Sequence, residues 1–428
     1  MDNRIPVVDA LCHAWFGKLP QDWNIKPVRI ALQERYAKND LGVRNNYLSL
    51  ISGVGIVPYA EKGDLGNKKP EDLSKCKCVE QGDFVINSMN FVIGGFGRSS
   101  FSGICSPVYI VAKPNERQFD PRFLMRVFQV TEFQRHVGRL GNGILELRMA
   151  IGWDELKNQP IPAPPLPEQT RIANFLDEQT ARIDALIAEK ERLVSTIEEY
   201  WRSYLYSSMQ SAACLGLELP HEGWALEPVK RVCASIQTGR TPSGARDDCF
   251  TEDGVPWVTP GDMDDIFVKS SGKSVSYVAL HDGEVVLYPP GSTLLVGIGA
   301  TLGTVSNARV AVSANQQINI LVPDPRKIDA LFLTFAIKAN QDQVRLSAGA
   351  ATLPILNQER TGRLKIAIPR MEQQIATRNQ LLRLRENANR LLSHVGRHLS
   401  ILREYRSSLI SAAVTGQLDI DSFEKGVA

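Results

Sequence analysis

The string Pro165-Leu166-Pro167-Glu168-Gln169 returns 204 residues later as Pro369-Arg370-Met371-Glu372-Gln373. Each copy is a helix start. A proline in the first turn supplies the helical φ and lacks only an N–H that would be orphaned there, and the glutamate faces the positive end of the helix dipole. The far ends repeat at the same offset, Arg202-Ser203-Tyr204-Leu205 answering Arg406-Ser407-Ser408-Leu409. Each copy follows a globular stretch of similar size, so the chain is read as domain–helix, domain–helix.

The pattern behind each start supports a long helix. Residues 165–211 are free of glycine, and positions 172, 176, 179, 183, 186, 190, 193, 197, 200 and 204 step by four and three. Eight of the ten are apolar or aromatic, including Ile172, Leu176 and Ile183. A repeat of seven kept over about four heptads predicts a coiled-coil seam. The second helix, from 369, repeats the pattern through Leu381, Leu384, Ala388, Leu391, Val395, Leu402, Tyr405 and Leu409, one residue out of step with the first. Residues 168–209 carry five basic and eight acidic side chains, and residues 371–412 carry seven and three. Helices of matching length and opposite sign are expected to pair with each other.

The globular stretches read as β-rich mixed folds. Residues 1–164 contain short β-prone runs (Tyr47–Ile51, 82–88, 108–111) separated by glycine turns, then a helical pattern from Pro121 to Phe128. The unit closes on Pro160-Ile161-Pro162-Ala163-Pro164, a stiff extended lead into the helix. Residues 212–368 echo it: Leu219-Pro220, Trp224 and Pro228 repeat Leu19-Pro20, Trp23 and Pro27, while Asp329-Ala330-Leu331 answers Asp120-Pro121-Arg122. The expected class is α+β: domains at 1–164 and 212–368, helices at 165–211 and 369–415 pairing as a coiled coil, and a tail at 416–428.

Composition excludes more than it assigns. The net charge of +2 does not announce nucleic acid, and the seven cysteines form neither a disulfide framework nor a zinc motif. Without an apolar leader at its start or a run of 18 apolar residues, the chain is expected in the cytoplasm with reduced thiols and no membrane contact. No phosphate-cradling loop occurs. Gly297-Ile298-Gly299-Ala300-Thr301-Leu302-Gly303 suits a turn between strands better than a dinucleotide loop, its last glycine falling one place late. Glu155-Leu156-Lys157 is half of a nuclease motif without the other half, and His394 and His398 lack a third ligand on their helix. The expectation is therefore no catalytic residue and no metal site.

Two diverged domains, each followed by a long helix opened by P-x-x-E-Q, resemble the specificity subunit of type I restriction–modification enzymes. Thr238-Gly239-Arg240-Thr241-Pro242-Ser243, Val255-Pro256-Trp257-Val258-Thr259-Pro260-Gly261-Asp262, Ala300-Thr301-Leu302-Gly303 and Asn315-Gln316-Gln317 match that family too. The first domain lacks the T-G-x-T-P loop and has Asn39-Asp40-Leu41-Gly42 near its place. The resemblance implies that each domain is a target recognition domain for one half of a bipartite, asymmetric site in double-stranded DNA. The helices, each ~60 Å at 1.5 Å per residue, would pair as an antiparallel coiled coil and act as a ruler for the spacer between half-sites about one DNA turn, ~34 Å, apart. They would also dock two modification subunits that methylate adenine at N6, with restriction/translocase subunits adding cleavage. S-adenosylmethionine, ATP and Mg would bind those partners and no cofactor this chain.

Within that reading, base contacts need side chains of Arg, Asn or similar reach on exposed loops. The candidates are Arg44, Asn45, Asn46 and Arg98 in the first domain, and Thr238, Gly239, Arg240 and Thr241 in the second. The spacer and docking helices are represented by Glu168, Gln169, Ile172, Leu176, Ile183, Glu372, Gln373, Leu384, Leu391 and Tyr405. Residues 212–368 carry 14 basic against 16 acidic groups, so that domain cannot bind DNA by bulk charge. The alternative from another class is a scaffold with two binding modules, neither of them for DNA, held by a coiled coil.

Overall fold

The structure is a computed structural model describing residues 15–64, 68–141, 150–242, 247–263, 265–268, 271–348 and 354–427. The start of the chain, read above for an apolar leader, and Ser243 lie outside these. The chain forms two compact units, residues 1–191 with 397–428 and residues 192–396, so the division cuts through both long helices.

In the first unit a short antiparallel ribbon pairs β1 (Asn24–Pro27) with β10 (Pro160–Ala163), tying the start of the domain to its end. The main sheet has the order β2-β9-β6-β7 (Leu32–Glu34, Tyr109–Pro114, Phe84–Asn87, Phe96–Arg98). Two hairpin-sized pairs, β3–β4 (Leu48–Ile51, Gly55–Pro58) and β5–β8 (Lys77–Val79, Gly103–Cys105), extend from it. Helices α1 (Pro121–Gln129) and α2 (Thr131–Gly138) press Phe128 and Phe133 onto Phe84, Phe91 and Phe96, an aromatic cluster at the centre of the core.

The second unit repeats this plan. β11 (Ala225–Pro228) pairs with β20 (Lys365–Ile368), and the sheet order is β12-β19-β16-β17 (Cys233–Thr238, Ile318–Pro323, Thr293–Val296, Val305–Asn307). The register is conserved in space. Phe84 faces Ala112 and Arg98, while Thr293 faces Leu321 and Asn307, so all three positions move along the chain by one common interval. This unit also has a second sheet of short strands, in the order β13-β15-β14-β18 (Phe250–Thr251, Ser274–Val275, Val255–Val258, Ser313–Ala314). Residues 297–304 connect the paired strands β16 and β17, so the glycine-rich stretch is the expected turn. Helix α4 (Ala330–Ala339) covers the sheet as α1 does in the first unit, with Asp329 and Asp120 as their N-caps.

Each long helix is a single element: α3 spans Leu166–Ser208 and α5 spans Met371–Val414. They run antiparallel in both units. In the first, Asp184 pairs with Arg406 and Glu191 with Arg403; in the second, Glu198 pairs with Arg385 and Tyr204 with Gln380. The expected seam is right at Ile172, Leu176 and Ile183, and at Leu381, Ala388, Val395 and Leu409, all of them buried. It is wrong at alternate steps. Leu186, Leu193 and Tyr200 are exposed while 187, 194 and 201 turn inward, and Leu391 and Tyr405 are exposed while 392 and Leu399 are covered. Leu384 is half-buried. On α3 the inward steps 180, 187, 194 and 201 are seven apart, as are 176, 183, 190, 197 and 204, so the heptad holds with one of its two positions shifted by a residue.

The stretch expected to be a tail includes a helix, α6 (Ile420–Val427), whose Ile420 and Phe423 pack on the first unit's core beside Phe175. Arg171 of α3 holds it through Asp421 at 2.6 Å.

Candidate nucleic-acid interface

In both units the first strand of the main sheet runs out into the loop that carries the candidate base contacts. In the first unit this loop is organised by Asn39, which is buried. Its Nδ2 donates to the carbonyls of Arg44 (2.9 Å) and Leu73 (3.2 Å), and its Oδ1 accepts from the Arg44 N–H at 3.0 Å. The loop turns through Gly42 at φ +62° and holds Leu41, 90% exposed, in the solvent.

Arg44, Asn46 and Arg98 converge on the turn between Glu80 and Asp83. The Arg44 guanidinium lies 2.8 Å from Glu80, whose carboxylate raises its pKa further. Asn46 Nδ2 donates to Ser102 O (2.9 Å), and Ser102 Oγ in turn accepts from the Gln81 N–H at 3.0 Å. Arg98 Nε donates to Gly82 O (3.3 Å) and its Nη2 lies 3.6 Å from Glu116. Asn45 is exposed on the same loop. An open polar cleft beside this turn is lined by Arg35, Lys113 and Arg117 together with the acids Glu80, Asp83 and Glu116. Arg98 also has a structural counterpart in Asn307, which faces Thr293 as Arg98 faces Phe84. Asn307 is buried and donates from Nδ2 to Gly291 O at 3.0 Å. Bracing this turn is thus a duty common to both units, and in the first it falls to a side chain that is still half in solvent.

In the second unit the four candidates divide. Thr238 is inward-facing, its Oγ1 donating to Asn319 Oδ1 (2.9 Å) and accepting from Gln358 Nε2 (3.1 Å). Gly239 is required by packing, because a Cβ there would sit 2.3 Å from the carbonyl oxygens of Ala314 and Asn315. Arg240 and Thr241 are exposed. The backbone of Arg240 is fixed on both sides, its N–H to Ala314 O (2.8 Å) and its carbonyl to Trp257 Nε1 (3.1 Å), and its Nη1 reaches Gly283 O at 3.2 Å.

The family-like strings meet at this place. Asn315 N–H donates to Val258 O, Gly297 N–H to Gln317 O and Gly239 N–H to Ile318 O. Gln316 is exposed and Gln358 ends beside Thr238, so two amides join Arg240 at this end of the domain. Neither was among the sequence candidates. The polar triplet Asn315-Gln316-Gln317 between two β-prone runs was the available signal, and its proximity to residue 240 is purely tertiary.

On the helices, Gln169 is buried and Glu168 pairs with Arg171 at 3.0 Å. Glu372 and Gln373 are exposed. The buried counterpart of Gln169 is Gln374, so position 169 corresponds in space to 374, and its alignment with 373 in the sequence reading is corrected. With 169 set on 374, the two seams read from sequence fall into step. Among the described residues no cluster of three or more His, Cys, Asp or Glu could hold a metal ion, and no helix is long and apolar enough to cross a membrane.

Two β-rich domains of one plan, each ending in polar loops and mounted on a paired helix, define a subunit with two repeated binding modules. The model of the Type I restriction modification DNA specificity domain matches this chain twice, over residues 44–194 and 221–380, and the chain belongs to that family. It is a specificity subunit, a sequence-specific DNA-binding component with two target recognition domains whose role is recognition and not catalysis. It is 19% identical over 391 residues to a protein of Methanocaldococcus jannaschii assigned as the MjaX specificity subunit of a type I restriction enzyme, covering 85% of this chain and 87% of the other. A solved chain from work on complex assembly and conformational transition of the type I R-M system superposes with a TM-score of 0.72 at 17% identity, over 94% of this chain and all of that one. The HsdS subunit of Thermoanaerobacter tengcongensis, also 17% identical, aligns over 94% of this chain and 98% of its own at a TM-score of 0.49.

Proposed function

We propose that residues 1–164 and 212–368 each read one half of a bipartite, asymmetric site in double-stranded DNA, and that the helices 165–211 and 369–415 set the unspecified spacer. The observation that carries this reading is the duplication itself: one strand order, one register and one helix attachment, with loops that differ almost completely. Recognition of two different half-sites by one scaffold calls for that combination. Arg44, Asn45, Asn46 and Arg98 are the base or backbone contacts of the first domain, and Arg240 with Thr241 those of the second, positioned by Thr238 and Gly239.

The exposed apolar row Leu186, Leu193 and Tyr200 on α3, with Leu391 and Tyr405 on α5, supports docking of two adenine N6 methyltransferase subunits on the helix pair. Those subunits would bind S-adenosylmethionine, and restriction/translocase subunits would use ATP and Mg in the cytoplasm. Because the second domain carries slightly more acid than base, the isolated subunit is expected to bind DNA weakly and the modification subunits to complete the clamp.

The deciding experiment is to co-express the chain with its methyltransferase and map methylated adenines in the host genome. A two-part motif with a fixed gap that vanishes when this chain is deleted is the expected outcome. A methyltransferase that neither copurifies with the chain nor changes its target on deletion would sink the reading in favour of a scaffold without DNA.

A further inference from the structure

Arg385 of α5 touches three side chains of the second unit at once, two on α3 and one in the recognition domain. Its Nη1 lies 3.2 and 3.1 Å from the two carboxylate oxygens of Glu198 on α3, and its guanidinium lies 5.5 Å from the centroid of the Trp201 ring. Its Nε donates to Asp265 Oδ1 at 3.1 Å, and Asn389, one turn further along α5, donates to Asp265 Oδ2 at 3.0 Å. The pair is sheltered, with side chains only 14% and 20% exposed.

Asp265 in turn is built into the recognition domain. Its carbonyl accepts from Ser306 Oγ (2.6 Å), the next carbonyl accepts from the Asn307 N–H (2.7 Å), and the Val268 N–H donates to Asn307 O (3.1 Å). Residues 265–268 therefore add an edge to β17, and through β16 and β19 the sheet continues to β12 and the Thr238–Arg240 loop. A second anchor sits two helical turns away, where Arg378 Nη1 meets Asp329 Oδ2 at 2.7 Å. Positions 378 and 385 are seven apart, on one face of α5 and ~10 Å apart along it. One anchor would leave the domain free to swivel about it; two anchors define its rotation.

Rotation matters for DNA. One base pair more in the spacer moves a half-site by ~3.4 Å and turns it by roughly 35° about the duplex axis. A ruler discriminates that change only if the domain it carries resists turning. We propose that Arg385 is a positioning residue that locks the orientation of the second recognition domain on the helix pair and thereby enforces the spacer length. The proposal rests on the reading above that the helices set the spacer.

The test uses the complex assembled with its modification subunits and DNA duplexes carrying the mapped half-sites with the native spacer, one base pair more, or one fewer. Methylation kcat/KM is measured on each. Arg385→Ala and the isosteric Asp265→Asn are expected to reduce the preference for the native spacer by about tenfold, the scale of a disrupted side-chain network. Arg385→Lys should recover part of it. Arg403→Ala, which removes an exposed helix–helix pair, should leave the preference as it is. Unchanged spacer ratios in both Arg385→Ala and Asp265→Asn would overturn the proposal. So would an equal loss of methylation on all three spacers, which marks a folding role alone. If the unaltered complex itself has no bipartite target, the functional reading fails first and this proposal with it.

Discussion

Gln169 and Gln374, each in the first turns of a long helix, make the same three hydrogen bonds. Each side-chain oxygen accepts from the backbone N–H of an N-cap aspartate, Asp120 at 2.9 Å and Asp329 at 2.8 Å. Each amide nitrogen donates to the carbonyl five residues earlier, Pro164 and Pro369, and to a carbonyl just before that aspartate, Gln118 and Lys327. A single glutamine thus fastens the first turn of a long helix to the helix that covers the domain's sheet.

Removing this amide leaves three backbone groups in buried or partly buried surroundings without their partner, so Gln169→Ala and Gln374→Ala are each expected to cost about 1–3 kcal/mol of unfolding free energy. Gln373→Ala, one residue away and exposed, is expected to stay within about 0.5 kcal/mol. Chemical denaturation of the three variants compares them directly. Equal effects at 373 and 374 would contradict the correspondence of 374 with 169.

Gly239 and Arg240 separate shape from reading. Gly239→Ala drives a methyl into two carbonyl oxygens and should cost about 1–3 kcal/mol, disturbing the second half-site while the first is still recognised. Arg240→Ala leaves the fold intact. If Arg240 reads a base, cognate affinity falls by about 1–3 kcal/mol and one position of the second half-site becomes degenerate in the mapped motif. If it contacts phosphate, all sequences weaken alike and the salt slope drops by about 1.

Acid sensitivity of the first unit has an identifiable source in Asp120. Burial pushes its carboxyl up, but the Arg122 side chain and N–H, with Thr170, together hold it below the usual carboxylate range. A folded value below the unfolded one means this stabilisation is complete above about pH 4 and is lost as pH falls through the lower folded value. Asp120→Asn should therefore flatten the dependence of stability on pH below about pH 4. A slope as steep as that of the unaltered chain in a denaturation series would rule this source out.

The outer row of the helices should matter for assembly and not for folding. Leu193→Arg and Leu391→Arg are expected to leave the unfolding free energy within about 0.5 kcal/mol, since both side chains are exposed. They should nonetheless abolish copurification of the methyltransferase. Leu381→Ala, at a buried position, should cost about 2–5 kcal/mol instead. Retention of the partner by both Arg variants would move the docking surface elsewhere.

The opposite charges of the helices were legible as composition, and their use was not. Some of the complementarity does run between helices, as in Asp184–Arg406 and Glu191–Arg403. Much of it serves each helix's own domain, with the signs reversed between the units. Asp177 of α3 receives Arg122 and Arg126 from the first domain, whereas Arg378 and Arg385 of α5 reach Asp329 and Asp265 of the second. A count of charges gives the sign of a helix but not the direction in which each side chain leaves it.

Residues near in sequence settled much of this protein. The helix starts at Pro165 and Pro369, the caps at Asp120 and Asp329 and the short β-prone runs of β6 and β16 are local. Each is governed by φ preference, capping and periodicity within a few residues, and so the duplicated plan was readable from the chain. The tertiary structure decided what depends on distance across the sequence. It moved the counterpart of Gln169 one place along the second helix, because Gln374, and not Gln373, reaches the backbone of Asp329. It turned 187 and 392 inward in place of Leu186 and Leu391, because either neighbour keeps the seven-residue spacing and only the packing of the partner helix selects between them. It set Gln316 and Gln358 beside Arg240, a neighbourhood made by strands that meet only after the sheet has closed.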